Sequence, residues 1–188
     1  MCSSDLEDQR QHLEITRDIA IRFNNRFGDT FVLPKAVMPK AGARVMDLQD
    51  PTSKMSKSAA TDAGLISMLD DPALVMKKFK RAVTDSDNEV RFDRAAKPGV
   101  SNLLEILAAC TGGTPEALAA NYTQYGALKV DTGEAVVATL APIQARYNEL
   151  MADPGELQAL LRKGAEKARA VASVVLARAQ TALGLTPA

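Results

Sequence analysis

The sequence predicts an α/β beginning followed by an all-helical part. Two short apolar runs, "TFVLP" at residues 30–34 and "ARVMDL" at residues 43–48, are typical of buried strands. Beyond residue 58 the apolar positions recur mostly at helical spacing, although "GLISMLDDP" at residues 64–72 can hold one more short extended piece before the first of these helices. This change of composition near Ser58 places a domain boundary there, so we expect residues 1–58 and residues 59–188 to form separate domains.

The first element is predicted to be a helix from Glu7 to Phe27, because its apolar residues recur at helical spacing and Gly28 follows as a stop signal. The two apolar runs then predict strands over Thr30–Leu33 and Val45–Leu48, joined by "KAVMPKAG". A lysine-containing loop follows the second strand.

The remaining elements are predicted to be helices with recognisable start signals. Side chains that can cap a helix open four of them: Asp71, Ser101, Thr114 and Asp153. Another helix is expected from near Lys129 to Met151, with a kink at Pro142. The last helix should end at Leu183, before Gly184. It carries an apolar stripe formed by Leu157, Leu160, Leu161, Ala165, Ala168, Val171, Ala172, Val175 and Ala179.

The overall composition is that of a folded domain without a dominant charge. Of 188 residues, 46% are hydrophobic and 24% charged, and 23 basic side chains balance 23 acidic ones. If the protein binds a polyanion, it must therefore do so through a local patch of basic side chains. The two cysteines show no C-x-x-C spacing, which favours a reducing compartment. No apolar run approaches the roughly 20 residues of a membrane span, so we expect a cytoplasmic protein without a membrane partner.

The loop "DPTSKMSKS", residues 50–58, is the strongest candidate for chemistry. Lys54 and Lys57 lie three residues apart among small polar residues, after a predicted strand, where open α/β sheets place ligands. Lysine ammonium groups suit phosphate, and on a mobile loop they can stabilise a departing pyrophosphate. Met55, between them, can lie against a purine. The alternative is a solvated surface loop, which is the usual role of two such lysines.

Longer segments carry a family resemblance. The chain combines "KMSKS" with "EDQRQHLEITRDIAIRFNNRFG", "PKAGARVMDLQDPTSKMSKS", "AVTDSDNEVRFDRAAKPGVSNLLEILAACTGG" and "LAPIQARYNELMADPGELQALLRKGAEKARAVAS". In this it resembles the C-terminal part of the bacterial tryptophanyl-tRNA synthetases, which are class I aminoacyl-tRNA synthetases. The resemblance covers nearly everything after Leu6. It implies the C-terminal remnant of a Rossmann-type nucleotide-binding domain, followed by a helical domain of the anticodon-binding type.

The resemblance also implies an activity and its partners. The family activates L-tryptophan with ATP, accompanied by Mg²⁺, to tryptophanyl-adenylate and transfers the aminoacyl group to tRNA(Trp) as a homodimer. Lys54 and Lys57 match the catalytic lysines, Gln9 matches the residue that holds the ammonium group of the amino acid, and no residue matches a metal ligand. Eight residues match ATP-binding positions: Glu7, Asp8, Val45, Lys54, Met55, Ser56, Lys57 and Ser58. Among them, Val45 and Met55 match the residues that flank adenine, although each alone is more typical of a core.

The sequence also departs from the family pattern. Leu6 stands where the family has a glycine, and no HIGH-like motif or "A-A-D" helix occurs. We therefore expect the chain to represent the C-terminal half of such an enzyme and to be inactive alone. Two alternatives stay open: a tRNA-binding helical module without catalysis, and another adenylate-forming nucleotidyltransferase. His12 is expected to be structural, and the basic run of Lys77, Lys78, Lys80 and Arg81 is expected to be either solvated or in contact with tRNA phosphates.

Overall fold

The computed structural model describes residues 10–37, 44–56 and 61–185. In these ranges the regular elements are α1 Arg10–Phe27, a 3-10 turn Asp62–Gly64, α2 Pro72–Lys80, α3 Pro98–Thr111, α4 Pro115–Ala119, α5 Tyr125–Ala152 and α6 Pro154–Ala182. The chain divides into two compact units, one comprising Met1–Met38 and Asn148–Ala188 and the other Pro39–Tyr147. None of the helices in the described ranges combines the length and apolarity that crossing a bilayer requires.

The predicted strand at Thr30–Leu33 is not present, and the described residues contain no strand of regular length. The side chain of Asn24 takes the hydrogen bonds that a neighbouring strand would provide. Its Oδ1 accepts from the amides of Thr30 and Phe31 at 3.1 and 2.9 Å, and its Nδ2 donates to the Phe31 carbonyl at 2.8 Å. The segment is therefore satisfied locally and stays irregular.

The predicted strand at Val45–Leu48 is also wrong. Only Met46 takes part in strand-like pairing, through an isolated antiparallel bridge to Lys54. The segment turns back on the loop that follows it, and in the described residues it has no parallel neighbour. A run of four apolar or small residues indicates burial, but it does not indicate which backbone will pair with it.

The first unit contains α1 and α6. Gly28 has a φ of +86°, which a residue without Cβ adopts without strain, and its amide donates to the Asn24 carbonyl at 2.8 Å; α1 ends there as predicted. Phe23 packs against Phe27 and Phe31, with ring centroids 4.9 and 4.8 Å apart. Within the same unit, the Arg178 guanidinium donates to the Thr30 carbonyl at 2.9 Å.

Helix α6 begins where the sequence predicts, but its apolar stripe is mostly exposed. Asp153 caps the helix by accepting from the Glu156 amide at 3.0 Å, with Pro154 as the first helical residue. Of the predicted stripe, Ala179 is buried, whereas Leu161 and Val171 are 65% and 70% exposed. The periodicity of the apolar stripe correctly predicts a helix, but the stripe can be buried only where another surface packs against it.

The second unit has a core built by α2, α3 and α5 together with the loops before them. Its fully buried apolar side chains are Leu48, Val75, Phe79, Val100, Leu103, Leu104 and Leu128, each at most 2% exposed. The predicted helix starts at Asp71 and Thr114 are confirmed, because each side chain accepts a hydrogen bond from an amide in the first turn. Helix α5 begins at Tyr125 rather than near Lys129, and burial of Tyr125 and Leu128 offsets the low helix propensity of Gly126.

The predicted cap at Ser101 is wrong. Helix α3 begins at Pro98, with Lys97 in the capping position, so Ser101 lies inside the helix. Its side chain is 1% exposed and accepts a hydrogen bond from the Asp93 amide at 2.9 Å. Proline at the first helical position is the stronger start signal here.

Candidate functional site

The loop lysine Lys54 lies at one end of a short antiparallel hairpin. The hairpin is closed by hydrogen bonds from the Asp47 amide to the Ser53 carbonyl at 2.9 Å and from the Met55 amide to the Val45 carbonyl at 3.0 Å. Lys54 faces Met46 between these two bonds. Since two ladder bonds flank it, the backbone of Lys54 has a defined position although its side chain is exposed.

Two aspartates shape the turn of this hairpin. Asp50 accepts from the Thr52 and Ser53 hydroxyls at 2.6 Å each and from the Thr52 amide at 3.2 Å. The bonds from Ser53 and then Thr52 lower the pKa of the Asp50 carboxyl. Asp47 is buried, and its Oδ1 accepts from the amides of Gln49 and Asp50 at 2.7 and 3.1 Å. The turn that precedes Lys54 is therefore held by carboxylate–amide and carboxylate–hydroxyl bonds.

The hairpin is anchored to the rest of the second unit by hydrogen bonds of Met46, Leu48 and Gln49, and the Gln49 side chain donates to the Arg81 carbonyl at 3.0 Å. At Met46, the Asn102 side chain donates to the carbonyl at 2.9 Å and accepts from the amide at 3.0 Å. At Leu48, the amide donates to the Gly64 carbonyl at 3.0 Å and the carbonyl accepts from the Val83 amide at 2.7 Å. Contact between Asp47 and Gly64 is close, since a Cβ added to Gly64 would lie 1.7 Å from Asp47 Oδ1.

The hairpin brings together three of the predicted site residues. Val45 and Met55 are neighbours across it, both half-buried and packed against the core of the unit, and Lys54 lies beside them. Ser56 is half-buried and follows directly. The structure thus places Val45 and Met55 side by side, and their packing serves the core. The remaining predicted site residues, Glu7, Asp8, Gln9, Lys57 and Ser58, lie outside the described residues.

The basic run of α2 has members with different roles. Lys78 is buried, and its ammonium donates to Asp70 Oδ2 and the Leu65 carbonyl, both at 2.7 Å, so it holds the preceding loop against α2. Lys77, Lys80 and Arg81 are exposed. A groove of about 680 Å³ lies along this helix, lined by Gln49, Asp62, Ala63, Leu65, Ser67, Asp70, Leu74, Lys77, Lys78 and Arg81. Its two exposed cations lie one helical turn apart.

A charged cluster lies at the start of α3. The Lys97 side chain is 1% exposed, and its ammonium donates to Asp85 Oδ1 at 2.9 Å, Asp87 Oδ2 at 3.2 Å and the Tyr125 hydroxyl at 3.1 Å. Burial opposes the charge on Lys97, but the bonds to Asp85, Tyr125 and Asp87 outweigh it and raise the pKa of Lys97. Burial likewise opposes the charge on Asp85, yet bonds from Tyr125 and Lys97 lower its pKa to about 2. Lys97 and Asp85 thus stay charged at neutral pH, and the cluster ties the loop to two helices.

Sequence reasoning missed the residues that anchor the hairpin and loops to α3. Lys97, Ser101 and Asn102 are polar positions in the first turns of an otherwise apolar helix, and all three are buried. Polar residues on the apolar face of a helix are a detectable signal, because burying them is costly unless each has a hydrogen-bonding partner. His12, the single histidine, is exposed on α1.

The described ranges contain no group of three or more His, Cys, Asp or Glu side chains arranged to hold a metal ion. Val45 and Met55 form one cross-strand pair of the hairpin and Met46 and Lys54 the next, and the side chains of successive pairs point to opposite faces. An apolar pair can cover one face of a flat base, and an ammonium group can attract a phosphate.

Comparison with known proteins gives a consistent result. A family model described as tRNA synthetases class I (W and Y) matches residues 7–141. The tryptophan–tRNA ligase 1 of Streptomyces avermitilis is 55% identical over 182 residues, which cover 97% of this chain and 55% of the relative. The tryptophan–tRNA ligase of Mycobacterium leprae is 55% identical over 183 residues, which cover 96% and 53%. The chain spans about half the length of the curated relatives it matches.

Solved structures agree with this. The tryptophanyl-tRNA synthetase from Mycoplasma pneumoniae matches with a TM-score of 0.87 at 36% identity, over 96% of this chain and 56% of the other. The enzyme from Campylobacter jejuni, solved in complex with ADP and tryptophan, matches with a TM-score of 0.62 at 30% identity, over 97% and 56%.

Proposed function

The chain belongs to the class I tRNA synthetases of the tryptophan and tyrosine group, and we propose that it acts in tryptophan–tRNA ligation. The observation that carries this proposal is 55% identity to curated tryptophan–tRNA ligases over nearly the whole chain. The hairpin supports it, because it pairs Val45 with Met55 and carries Lys54 next to Met55 on the same strand.

The proposed reaction has two steps. The tryptophan carboxylate attacks the α-phosphate of ATP, which arrives with Mg²⁺, and pyrophosphate leaves as tryptophanyl-adenylate forms. A hydroxyl at the tRNA(Trp) 3′ end then attacks the adenylate's carbonyl carbon, and AMP leaves. Positioning of reactants and stabilisation of charge on the leaving pyrophosphate account for most of the rate enhancement in such a transfer.

Each predicted site residue has a proposed role in the first step. Lys54 and Lys57 stabilise charge on the departing pyrophosphate, and Val45 and Met55 flank adenine. Ser56 and Ser58 contact ATP from the same loop. Glu7 and Asp8 contact the ATP ribose side, and Gln9 holds the ammonium of tryptophan. These roles rest on the family resemblance and, for Val45, Lys54 and Met55, on their juxtaposition in the hairpin.

We also propose the domain arrangement that the family implies. Residues 1–58 correspond to the end of a Rossmann-type nucleotide-binding domain, and residues 59–188 to a helical domain that meets tRNA. The complete enzyme works as a cytoplasmic homodimer.

A second candidate is a tRNA-binding module without catalysis. The exposed cations Lys77, Lys80 and Arg81 on α2 favour it, because phosphate contacts need only positive charge and no chemistry.

The test is a chimera in which this chain replaces the matching half of the Streptomyces avermitilis ligase. We expect tryptophan-dependent pyrophosphate–ATP exchange from the chimera and none from the chain alone. A folded chimera that binds tRNA(Trp) without exchange activity would favour the second candidate instead.

A further inference from the structure

Asn102 takes the place of a neighbouring strand for Met46. Asn102 belongs to α3 and is 3% exposed. Its side chain forms hydrogen bonds with both the amide and the carbonyl of Met46, which lies 56 residues earlier in the chain. A carboxamide carries the same donor and acceptor as a peptide group, so one asparagine can satisfy both backbone groups of one residue. Met46 thereby has both of its backbone groups satisfied on the outer edge of the hairpin.

The geometry of the bridge explains why this edge is available. Met46 faces Lys54 as a pair flanked by ladder bonds, since the bonds across the hairpin are made by Val45 and Asp47. In such a pair the backbone groups of both residues point away from the partner strand. The outward groups of Met46 meet Asn102, and Lys54 stands directly opposite on the other strand.

Packing alone does not account for an asparagine at this position. Its neighbours along α3, Val100, Leu103 and Leu104, are at most 1% exposed. In such surroundings an amide side chain is costly unless its polar atoms are bonded, and a leucine of similar size would fill the same space. The bonds with Met46 are what the asparagine supplies.

We propose that Asn102 is a positioning residue, which fixes the hairpin to α3 and so sets where the Lys54 ammonium stands. The part of this proposal that concerns catalysis rests on the proposed function. The attachment of the hairpin to α3 through the bonds between Asn102 and Met46, called the tether below, does not. The Leu48 bonds and the bond from the Gln49 side chain to the Arg81 carbonyl hold the same segment two and three residues further on, so loss of the Asn102 bonds lets the Met46 end of the hairpin shift without unfolding the unit. Displacing a reactive group by about 1 Å can cost a factor of roughly 100 in rate.

The tether is tested by amide hydrogen exchange on this chain, which needs no activity. In Asn102→Leu we expect the amides of Met46, Asp47 and Met55 to exchange at least about tenfold faster, because local opening of the hairpin becomes easier. Asn102→Asp keeps an acceptor for the Met46 amide but sets a carboxylate oxygen against the Met46 carbonyl in place of the donor, so these amides should again exchange faster than in wild type. The Leu104 amide inside α3 should stay unchanged and shows that the unit is folded.

The matched control is Asn121→Asp, which makes the same chemical change at an exposed position and should leave hairpin exchange unchanged. Unchanged exchange at Asp47 and Met55 in both Asn102 variants would overturn the tether. If Asn102→Leu fails to fold, Asn102→Asp still decides the question.

The catalytic consequence is tested in the chimera. We expect kcat for tryptophan-dependent exchange, counted per active site from the adenylate burst, to fall about 100-fold in Asn102→Leu and less in Asn102→Asp. The KM for tryptophan should stay within about twofold, since this substrate is held elsewhere.

Faster hairpin exchange with an unchanged kcat would reduce Asn102 to a structural residue and overturn its positioning role. A wild-type chimera without activity would instead count against the proposed function, while amide exchange would still decide the tether.

Discussion

The close approach of Gly64 to Asp47 makes a measurable prediction about the turn before Lys54. A Cβ at residue 64 would lie 1.7 Å from Asp47 Oδ1 and 2.2 Å from its Cγ, so Gly64→Ala forces the Asp47 side chain to move. That carboxylate is buried and accepts the amides of Gln49 and Asp50. Overpacking typically costs about 1–3 kcal/mol, and each disturbed hydrogen bond about 0.5–1.5 kcal/mol. With both amide bonds disturbed, we therefore expect the free energy of unfolding to fall by about 2–6 kcal/mol.

A double-mutant cycle separates the collision from other effects. Asp47→Ala removes the atoms that the new methyl group meets, so Gly64→Ala should cost less than about 0.5 kcal/mol in that background. Urea unfolding followed by circular dichroism provides all four free energies. Gly126→Ala, where an added Cβ meets nothing within 4 Å, is the control and should stabilise α5 by about 0.5–1 kcal/mol. If Gly64→Ala lowers the free energy of unfolding by the same amount in the wild-type and the Asp47→Ala backgrounds, this reasoning is refuted.

Three further predictions concern charged side chains. Because the pKa of Asp85 is lowered to about 2 from about 3.9 in an unfolded chain, its contribution to stability is complete above the unfolded value and is lost as pH falls towards 2. Between pH 6 and pH 2 the free energy of unfolding, measured with urea, should fall less steeply in Asp85→Asn than in the wild type. An identical pH dependence of the two proteins would contradict this assignment. Lys78→Ala should cost about 2–4 kcal/mol because it leaves the Asp70 carboxylate without its ammonium partner, whereas the exposed neighbour variant Lys80→Ala should cost less than about 0.5 kcal/mol in the same assay. In the chimera, Lys57→Ala should slow tryptophan activation about 100–1000-fold, with Lys54→Ala acting in the same direction. An unchanged first-turnover rate with a raised ATP dissociation constant would make these lysines substrate binders only.

Local chemistry made the helix starts predictable. Asp71 and Asp153 each precede a proline. The carboxylate accepts a hydrogen bond from an amide of the first turn, and the proline has no amide hydrogen that would need a partner. Together these two residues determine the start of a helix to within a few residues. Ser101 carried the same type of signal and was wrong, because Pro98 already starts the helix and the serine hydroxyl serves a loop amide instead. A capping residue is thus informative only where no stronger signal precedes it.

The absence of the two predicted strands could not be predicted in the same way, because side chains bond the backbone at Thr30, Phe31 and Met46. Asn24 satisfies Thr30 and Phe31 from seven or fewer residues away, and Asn102 satisfies Met46 from 56 residues away. Neither pairing leaves a periodic pattern in the chain. For the site, the family resemblance predicts roles for Lys54, Val45 and Met55, and these roles stay predictions, while the residues that hold the hairpin in place became evident only through the fold.

The exposed stripe of α6 has a consequence for how this protein behaves in solution. Its members Leu160, Leu161 and Val171 are 44%, 65% and 70% exposed. The formal net charge of the chain at pH 7 is zero, so long-range repulsion does not keep these aliphatic patches on different molecules apart. Colloidal stability should therefore be lowest near neutrality, and a shift of about two pH units, which gives every molecule charge of one sign, should suppress self-association more effectively than added salt, which only screens charge.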